Sequence, residues 1–408
     1  MRTKGKFMLD TPKKLGLLAA ICAGSYTAVV GAEGFEPAPI KLDSGMTLTP
    51  VLTTVVGYDD NVANSNSDEK DSMYTVISPR AKLEAGNDIT NGTLDFGFDS
   101  GWYVDSSDDD YFDHSVSARG HHEFTAKYRL DLDASYRRTH DARGTGISEG
   151  NQGVFDDVTK YNYYVVGGVF GLGAQSSDLR FDLRSLYKKK DYRNFEDVTQ
   201  YRDYDAVEVG ATTYWNVMPK TDLLLDIGYE QIDYDVTDPS TISRDSDVFK
   251  ALAGVEWDIT GKTEGRASIG WQNKDFDDNG REDFDGVSWD VALTWKPKEY
   301  SALTFATGRE ARDPDTFGDY IKETYASASW RHKWLDRFST EVGTKYVGES
   351  YTGVDRDDDY WRASLAAIYD FRRWLQFKGE YVWSDQDSNV DSVTYDKNVV
   401  YLSVKVAL

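Results

Sequence analysis

The chain contains few cysteine, proline and histidine residues. It has one cysteine, nine prolines and five histidines in 408 residues. A single cysteine excludes an intramolecular disulfide framework. Lys and Arg number 46 against 70 Asp and Glu, a formal net charge of −24, which excludes a basic nucleic-acid-binding protein. A mean hydropathy of −0.58, with no stretch of about 18 consecutive apolar residues, excludes a helical polytopic membrane protein.

Aromatic residues and glycine are abundant instead. The chain holds 11 Trp, 27 Tyr and 18 Phe, 14% of all residues, together with 34 Gly. Aromatic side chains favour strands, and glycine marks the turns and close backbone approaches between them. With so few prolines, this composition indicates a large antiparallel sheet.

The first 32 residues differ from the rest of the chain. Lysines and one arginine precede an apolar stretch over residues 15–30, and small residues lead to a cleavage position after Ala32. This pattern predicts a secretory signal peptide over 1–32, which would carry away Cys22. A short periplasmic segment is then expected over 33–45, and one further domain over 46–408.

From about residue 46 the sequence alternates with period 2. Leu94, Phe96 and Phe98, for example, are interleaved with Asp95, Gly97 and Asp99. Period 2 predicts strands with one apolar and one charged face.

The breaks between these strands also alternate, between short turns and longer acidic loops. The longer breaks are 105–111, 139–156, 277–284, 311–319, 348–358 and 385–396. This describes an up-and-down sheet of about 18 strands, and an even number places both chain ends on the short-turn side. In hydrocarbon every backbone polar group must pair within the protein, so such a sheet can span only when closed. We therefore predict an all-β fold, a transmembrane up-and-down antiparallel β-barrel of the outer membrane; a soluble sandwich or propeller is the alternative.

The C-terminal strand is amphipathic. Val404, Val406 and Leu408 belong to an apolar stripe opposite Ser403 and Lys405. We expect this stripe to be the assembly signal read by the barrel-assembly machinery, although the chain ends in Leu rather than Phe or Trp.

Short motifs along the mature chain resemble those of the putative β-barrel porin type 2 family. They include Gly-Tyr-Asp-Asp-Asn-Val at 57–62, Ile-Ser-Pro at 77–79, His-Asp-Ala-Arg-Gly at 140–144 and Ala-Gly-Val-Glu-Trp at 253–257. The resemblance implies an outer-membrane barrel that assists exopolysaccharide or capsule export, with polysaccharide-export proteins and polysaccharide as partners. Two other functions stay open: a general or sugar-selective diffusion porin without a role in secretion, and a surface structural or attachment barrel.

An 18-stranded barrel leaves a water-filled interior, and strand parity predicts which side chains line it. The candidates with charged side chains on the lumen parity are Asp95, Asp99, Arg129, Asp131, Asp133, Arg180, Asp182, Arg184, Asp226, Glu230, Lys250, Glu256, Lys378 and Glu380. They either contact a passing solute or pair with one another to hold the wall rigid.

No sequence motif for an enzyme is present, so no catalytic residue and no cofactor are expected. Asp275, Asp277 and Asn279 copy the first half of a calcium loop, but Gly286 stands where the bidentate Glu belongs, which favours an ordinary Asn-Gly turn. Outer-membrane lipids and lipopolysaccharide are the expected surroundings, and nucleic acid is not an expected partner.

Overall fold

The computed structural model describes residues 35–259 and 261–407 of the chain. The predicted signal peptide, its cleavage position at Ala32, and Leu408 of the predicted assembly signal lie outside the described residues.

The described chain is built almost entirely from strands. A two-residue strand, β1 (Ile40–Lys41), precedes eighteen long ones. These are β2 (Thr47–Asp59), β3 (Ser72–Gly86), β4 (Thr90–Tyr103), β5 (Tyr111–Thr125), β6 (Tyr128–Asp141), β7 (Thr159–Leu172), β8 (Leu179–Tyr192), β9 (Tyr204–Met218), β10 (Thr221–Tyr234), β11 (Ser246–Ile259), β12 (Thr263–Phe276), β13 (Phe284–Lys298), β14 (Ser301–Arg312), β15 (Ile321–Leu335), β16 (Phe338–Tyr351), β17 (Asp357–Arg372), β18 (Leu375–Ser388) and β19 (Tyr395–Ala407).

Helical structure is limited to single turns in the connections. One α-helix, α1, spans Glu196–Thr199, and four 3₁₀ turns span Ser107–Asp109, Gly146–Ser148, Gln200–Arg202 and Asp391–Val393. Within the described ranges, no helix is long and apolar enough to cross a membrane.

Each long strand pairs antiparallel with its neighbours in sequence, and the last pairs with the first. β19 joins β2 in a register that runs from Val399 opposite Asp59 to Ala407 opposite Val51. The sheet is therefore a closed 18-stranded antiparallel barrel without a free edge, which confirms the predicted fold class.

The short strand β1 continues the sheet beyond the point where the pairing of β19 with β2 ends. β19 covers β2 only down to Val51, and β1 pairs with the next stretch of β2, through Ile40 opposite Leu48 and Lys41 opposite Thr47. A tight turn at Gly45, with φ of +83°, brings the chain back for this pairing. The backbone groups at the lower end of β2 thus gain partners on the side that β19 leaves open.

The two faces of the barrel differ as the alternation predicts. Large apolar side chains stand exposed on the outer face: Leu402 is 69% exposed, Ile269 60% and Trp215 59%. The other parity holds the charged side chains and many tyrosines. Because a protein in water does not expose this much contiguous apolar surface, the outer face is built for lipid.

The two ends of the barrel also differ. One end carries longer loops, named here L1 to L9: 60–71, 104–110, 142–158, 193–203, 235–245, 277–283, 313–320, 352–356 and 389–394. Shorter turns close most strand pairs at the other end. The sequence pattern had marked six of the nine loops but not L1, L4 or L5, and several strands run further into the loops than expected.

Candidate functional site in the barrel lumen

All fourteen lumen candidates lie on long strands, on the face opposite the exposed apolar side chains. Residues directly opposite one another on neighbouring strands share a face of the sheet. Asp182 and Asp226 both stand opposite Thr212, and Glu256 stands opposite Asp222. The structure therefore brings these residues, drawn from strands β4 to β18, to one continuous inner wall.

Several of the basic side chains on this wall pair with carboxylates two strands away. Arg129 of β6 bonds to Asp182 of β8, and Arg184 of β8 lies 2.6 Å from Asp226 of β10. Arg184 also binds Glu208 at 2.9 Å. These side chains lie flat along the wall instead of extending into the opening.

Glycines on the intervening strands make this geometry possible. Gly171 stands between Arg129 and Asp182 in register, and Gly210 stands opposite Arg184. A Cβ at Gly171 would overlap the Arg129 guanidinium, and one at Gly228 would lie 2.7 Å from Nη2 of Arg184. Glycine is therefore required here by the close approach of a side chain.

The remaining candidates also meet groups of the opposite sign or polar partners. Lys250 lies 3.2 Å from Glu310, and Lys378 lies 2.5 Å from Glu380. Further contacts and register partners are Asp99 with Arg80, Asp131 with His121, Arg180 with Asp222, Glu230 with Lys188, Asp95 opposite Lys82, Asp133 opposite Arg119 and Glu256 opposite Arg266. The wall is charged but largely self-compensated.

A belt of tyrosines lines the loop-proximal half of the lumen. Three adjacent-strand pairs show the packing, with ring centroids 5.5 Å apart for Tyr74 and Tyr103, 5.4 Å for Tyr161 and Tyr192, and 5.7 Å for Tyr204 and Tyr234. We call the following residues the tyrosine belt: Tyr74, Tyr103, Tyr111, Tyr161, Tyr163, Tyr192, Tyr204, Tyr234, Tyr325, Tyr351, Tyr360 and Tyr395. Ten of them are partly exposed, whereas Tyr192 (2% exposed) and Tyr351 (9%) are buried. A partly exposed tyrosine offers an apolar ring and a hydroxyl to the lumen. The same parity that marks the charged candidates would have identified these tyrosines in the sequence.

Loop L3 crosses the mouth of the barrel. Its Glu149 binds Arg356 at 2.8 Å and accepts a hydrogen bond from Gln386 at 3.1 Å. Five strands, β2–β5 and β19, separate β6 from β18 round the wall. L3 is anchored at its base by a small core of Ile147, Phe155 and Tyr192.

Loop L7 crosses the mouth from another side. Its Asp315 carboxylate lies 3.6 Å from Nζ of Lys190 on β8, although strands β9–β13 separate β8 from β14. Arg202 of L4 donates to the backbone carbonyls of Asp315 and Thr316, at 2.9 and 2.6 Å. Pairing between β13 and β14 stops at Arg309, whereas β14 stays paired with β15 up to Arg312, and L7 begins at the next residue.

Arg356 joins the two loops. It binds Asp358 of β17 through Nε and Nη2, Glu149 of L3 through Nη2, and Oγ1 of Thr316 of L7 at 3.5 Å. Its guanidinium also lies 4.3 Å from the Tyr351 ring centre. We call Arg356 with Glu149, Thr316 and Asp358 the clasp. No motif signals the clasp in the sequence, because its members are far apart along the chain and lie in loops.

Acid should hold the loops together at the clasp. Burial raises the pKa of Glu149 above its ordinary value, against the opposing influence of Arg356. With the loops parted, Glu149 would be exposed and would keep its ordinary pKa, so the closed arrangement is the one with the raised pKa. Protonation therefore favours the closed arrangement, and this arrangement loses stability as pH rises through the raised pKa.

We expect single-channel current through the purified protein to fall as pH is lowered from neutral to about 4, where free Glu titrates. Glu149→Gln should show the lowered current already at neutral pH and should flatten its dependence on pH. A wild-type current that is flat across this range would contradict the assignment.

The tryptophans lie on the outer face, near the strand ends. Trp102, Trp271 and Trp361 are each about half exposed, at 47%, 46% and 46%. Val404 and Val406 of the predicted assembly signal share the outward parity of β19, opposite Thr54 and Leu52. These positions suit contact with lipid and its headgroups.

The calcium candidates do not converge. Asp275 lies on β12 and accepts from Nδ2 of Asn273 at 2.9 Å, whereas Asp277 and Asn279 lie in L6. The loop forms a turn from Asp278 to Arg281, closed by a backbone hydrogen bond of 3.1 Å. Across residues 35–259 and 261–407, no group of three or more His, Cys, Asp or Glu side chains is placed to hold a metal ion.

Comparison with known proteins gives one family. The family model described as "Putative beta-barrel porin 2" matches residues 35–408. No curated protein matches the chain.

Several solved structures are similar to the chain at low sequence identity. OpdL of Pseudomonas aeruginosa is 12% identical, with a TM-score of 0.48 over 90% of this chain and 99% of that one. OpdQ of Pseudomonas aeruginosa is 12% identical, with a TM-score of 0.49 over 90% of this chain and 99% of that one. OccAB2 of Acinetobacter baumannii is 12% identical, with a TM-score of 0.48 over 88% of this chain and 98% of that one.

Proposed function

The chain belongs to the putative beta-barrel porin 2 family, and from this we propose that it is a conduit that assists the export of exopolysaccharide or capsular polysaccharide. It is a porin-like β-barrel, integral to the outer membrane. The proposal concerns what passes through it and in which direction.

The tyrosine belt is the observation that carries the proposal. Sugars present apolar ring faces edged with hydroxyls, and a tyrosine presents an apolar ring with one hydroxyl. Paired rings such as Tyr204 and Tyr234, 5.7 Å apart, repeat round the lumen and offer contact to successive residues of a polymer. The self-compensated wall below them stays hydrated without holding a polymer tightly.

The crossed loops favour a controlled conduit over an open diffusion pore. L3 and L7 meet at Arg356, which is only 8% exposed. The diffusion porin and the surface attachment barrel are the two other functions that the experiment below must separate.

No step of this function requires catalysis, and we propose that the barrel is not an enzyme and uses no cofactor. The proposed partners are outer-membrane lipids and lipopolysaccharide around the outer face, the barrel-assembly machinery at the C-terminal strand, and periplasmic polysaccharide-export proteins at the short-turn end. Co-purification after crosslinking in cells would test the last group.

Deletion of the gene tests the export function. We expect surface polysaccharide to be lost or strongly reduced while uptake of small sugars is unchanged, and the polymer to accumulate behind the outer membrane. The measurement is surface polysaccharide by staining and quantification, beside uptake of labelled mono- and disaccharides.

The opposite pattern identifies one of the other functions. Normal surface polymer with reduced sugar uptake would show a diffusion porin. Normal synthesis with polymer shed into the medium, rather than retained on the cell, would show an attachment barrel. Complementation with the wild-type gene is the control for effects on neighbouring genes.

A further inference from the structure

The part of L7 that enters the lumen is surrounded by basic side chains. Asp315 and Thr316 are contacted from β8 by Lys190, from L4 by Arg202 and from L5 by Arg244, whose Nη2 donates to the Thr316 carbonyl at 3.2 Å. We call Lys190, Arg202 and Arg244 the basic cage. It gathers three cations from three separate elements around one short backbone stretch.

Asp315 and Thr316 satisfy only part of the hydrogen-bond donors of the basic cage. Arg244 is 7% exposed, yet its Nη1 has no hydrogen-bond partner among the described residues. A buried guanidinium nitrogen without an acceptor is costly, so such a group normally meets an anion or a water. The unfilled donor points to a ligand with more acceptor oxygens than L7 supplies.

L7 places an anion in the cage. Although burial opposes ionisation, Lys190, Arg312 and Arg202 hold the pKa of Asp315 below its ordinary value. The carboxylate therefore stays charged, and together with the carbonyls of Asp315 and Thr316 it provides the acceptors that the cage binds in this state.

Aromatic rings stand beside the cage. Nζ of Lys190 lies 4.4 Å from the ring centre of Tyr161 and 4.5 Å from that of Tyr192, both in the tyrosine belt. Tyr192 is only 2% exposed, but Tyr161 is partly exposed, so a ligand that paired its anion with Lys190 could lay an apolar face on the Tyr161 ring. The combination of a carboxylate-sized cation cluster and adjacent rings matches an acidic sugar.

We propose that the basic cage is a binding site for the carboxylate of a uronic-acid residue in the exported glycan, and that Asp315 of L7 occupies this site as an internal competitor. The inference rests on the proposed function for the glycan's identity as cargo, but the site itself can be tested on the isolated protein. Guanidinium groups bind carboxylates through two parallel hydrogen bonds, which gives the site its preference for charge.

Binding to the detergent-purified full chain, measured by isothermal titration calorimetry, tests the site. The ligands are a galacturonate oligomer and a maltose oligomer of equal length. The double variant Arg202→Gln with Arg244→Gln should weaken galacturonate binding about tenfold or more, since hydrogen bonds to charged groups are lost, and should leave maltose binding unchanged. Arg331→Gln is the matched control, because Arg331 is another lumen arginine, 2.8 Å from Glu341 at the short-turn end.

Asp315→Asn separates competition from simple structural damage. Removal of the internal carboxylate should tighten galacturonate binding. A loop that is merely disturbed would instead weaken the binding of both oligomers or leave the binding of both unchanged. Equal binding of the two oligomers by wild type, or an equal loss in Arg331→Gln and the double variant, would overturn the proposal.

The two proposals fail separately. If deletion leaves the surface polymer intact while galacturonate binds through the cage, export is wrong and the site serves uptake of acidic sugars. If deletion removes the polymer but galacturonate binds no better than maltose, the export function stands and the cage is a structural anchor for L7.

Discussion

Replacing Arg356 by glutamine should open the mouth of the barrel. The substitution leaves the Asp358 and Glu149 carboxylates without their cation, in a site where Arg356 is 8% exposed. Loss of one partner of a buried ion pair costs about 3–5 kcal/mol, which shifts a two-state equilibrium by about two orders of magnitude or more. The loops that meet at Arg356 should therefore spend far more time apart.

Single-channel recording of the purified protein in planar bilayers measures this change as open probability. Arg337→Gln is the control, since Arg337 is an exposed arginine in a short turn at the opposite end. Adding Glu149→Gln to Arg356→Gln should close the mouth again in part, because it removes one of the two carboxylates left without a cation. Identical currents in wild type and Arg356→Gln would show that the clasp does not limit conduction.

The second large effect is expected inside the wall, at Gly210. A Cβ built there lies 2.8 Å from Nε of Arg184 and closer still to its guanidinium carbon. Gly210→Val should therefore displace the arginine and leave Glu208 and Asp226 without their common partner. We expect the free energy of unfolding to fall by about 3–5 kcal/mol, the cost of a broken buried pair.

The shift from the compact to the unfolded band on gels, followed as temperature is raised, measures the stability of the barrel. Gly120→Val is the matched control, because a Cβ at Gly120 meets nothing within 4 Å. Its midpoint should stay within a few degrees of wild type. An equal loss of stability in both variants would mean that glycine is needed for strand geometry alone, and not for the passage of Arg184.

Both expectations follow from how the wall treats its charges. Side chains such as Arg129 and Arg184 reach across a glycine to a carboxylate, so the lumen keeps polar groups at its surface without filling its width. Pairing explains how charges of both signs can line one wall. Under the proposed function, we expect selection among solutes at the basic cage and the tyrosine belt.

Much of the acidic excess lies elsewhere, on the outer rim near the long loops. Carboxylates of the outward parity stand directly opposite one another there, as Asp205 opposite Asp233 and Asp247 opposite Asp275. Tyrosine hydroxyls donate to some of them, for example Tyr229 to Asp247 at 2.7 Å. Like charges in facing positions are unfavourable in isolation, so this rim suits an environment that brings its own cations.

The sequence by itself determined the barrel. Period 2 assigns each residue of a strand to one of two faces, and in a closed sheet these faces can only be lipid and lumen, so Asp95, Arg184 and Glu380 could be placed on the inner wall from their spacing. The same reasoning reaches the tyrosine belt, because Tyr74 or Tyr192 shares parity with the charged residues of its strand. The face that a residue occupies depends only on its position within its strand, so it can be predicted from the order of residues.

The tertiary structure alone decided how the mouth is closed. Glu149 and Arg356 are 207 positions apart, and Lys190 and Asp315 lie on loops and strands with no shared pattern, so no spacing connects them. Loop paths depend on which side chains meet after the sheet has closed. The clasp and the basic cage are contacts of this kind, which exist only when distant parts of the chain are brought to one end of the barrel.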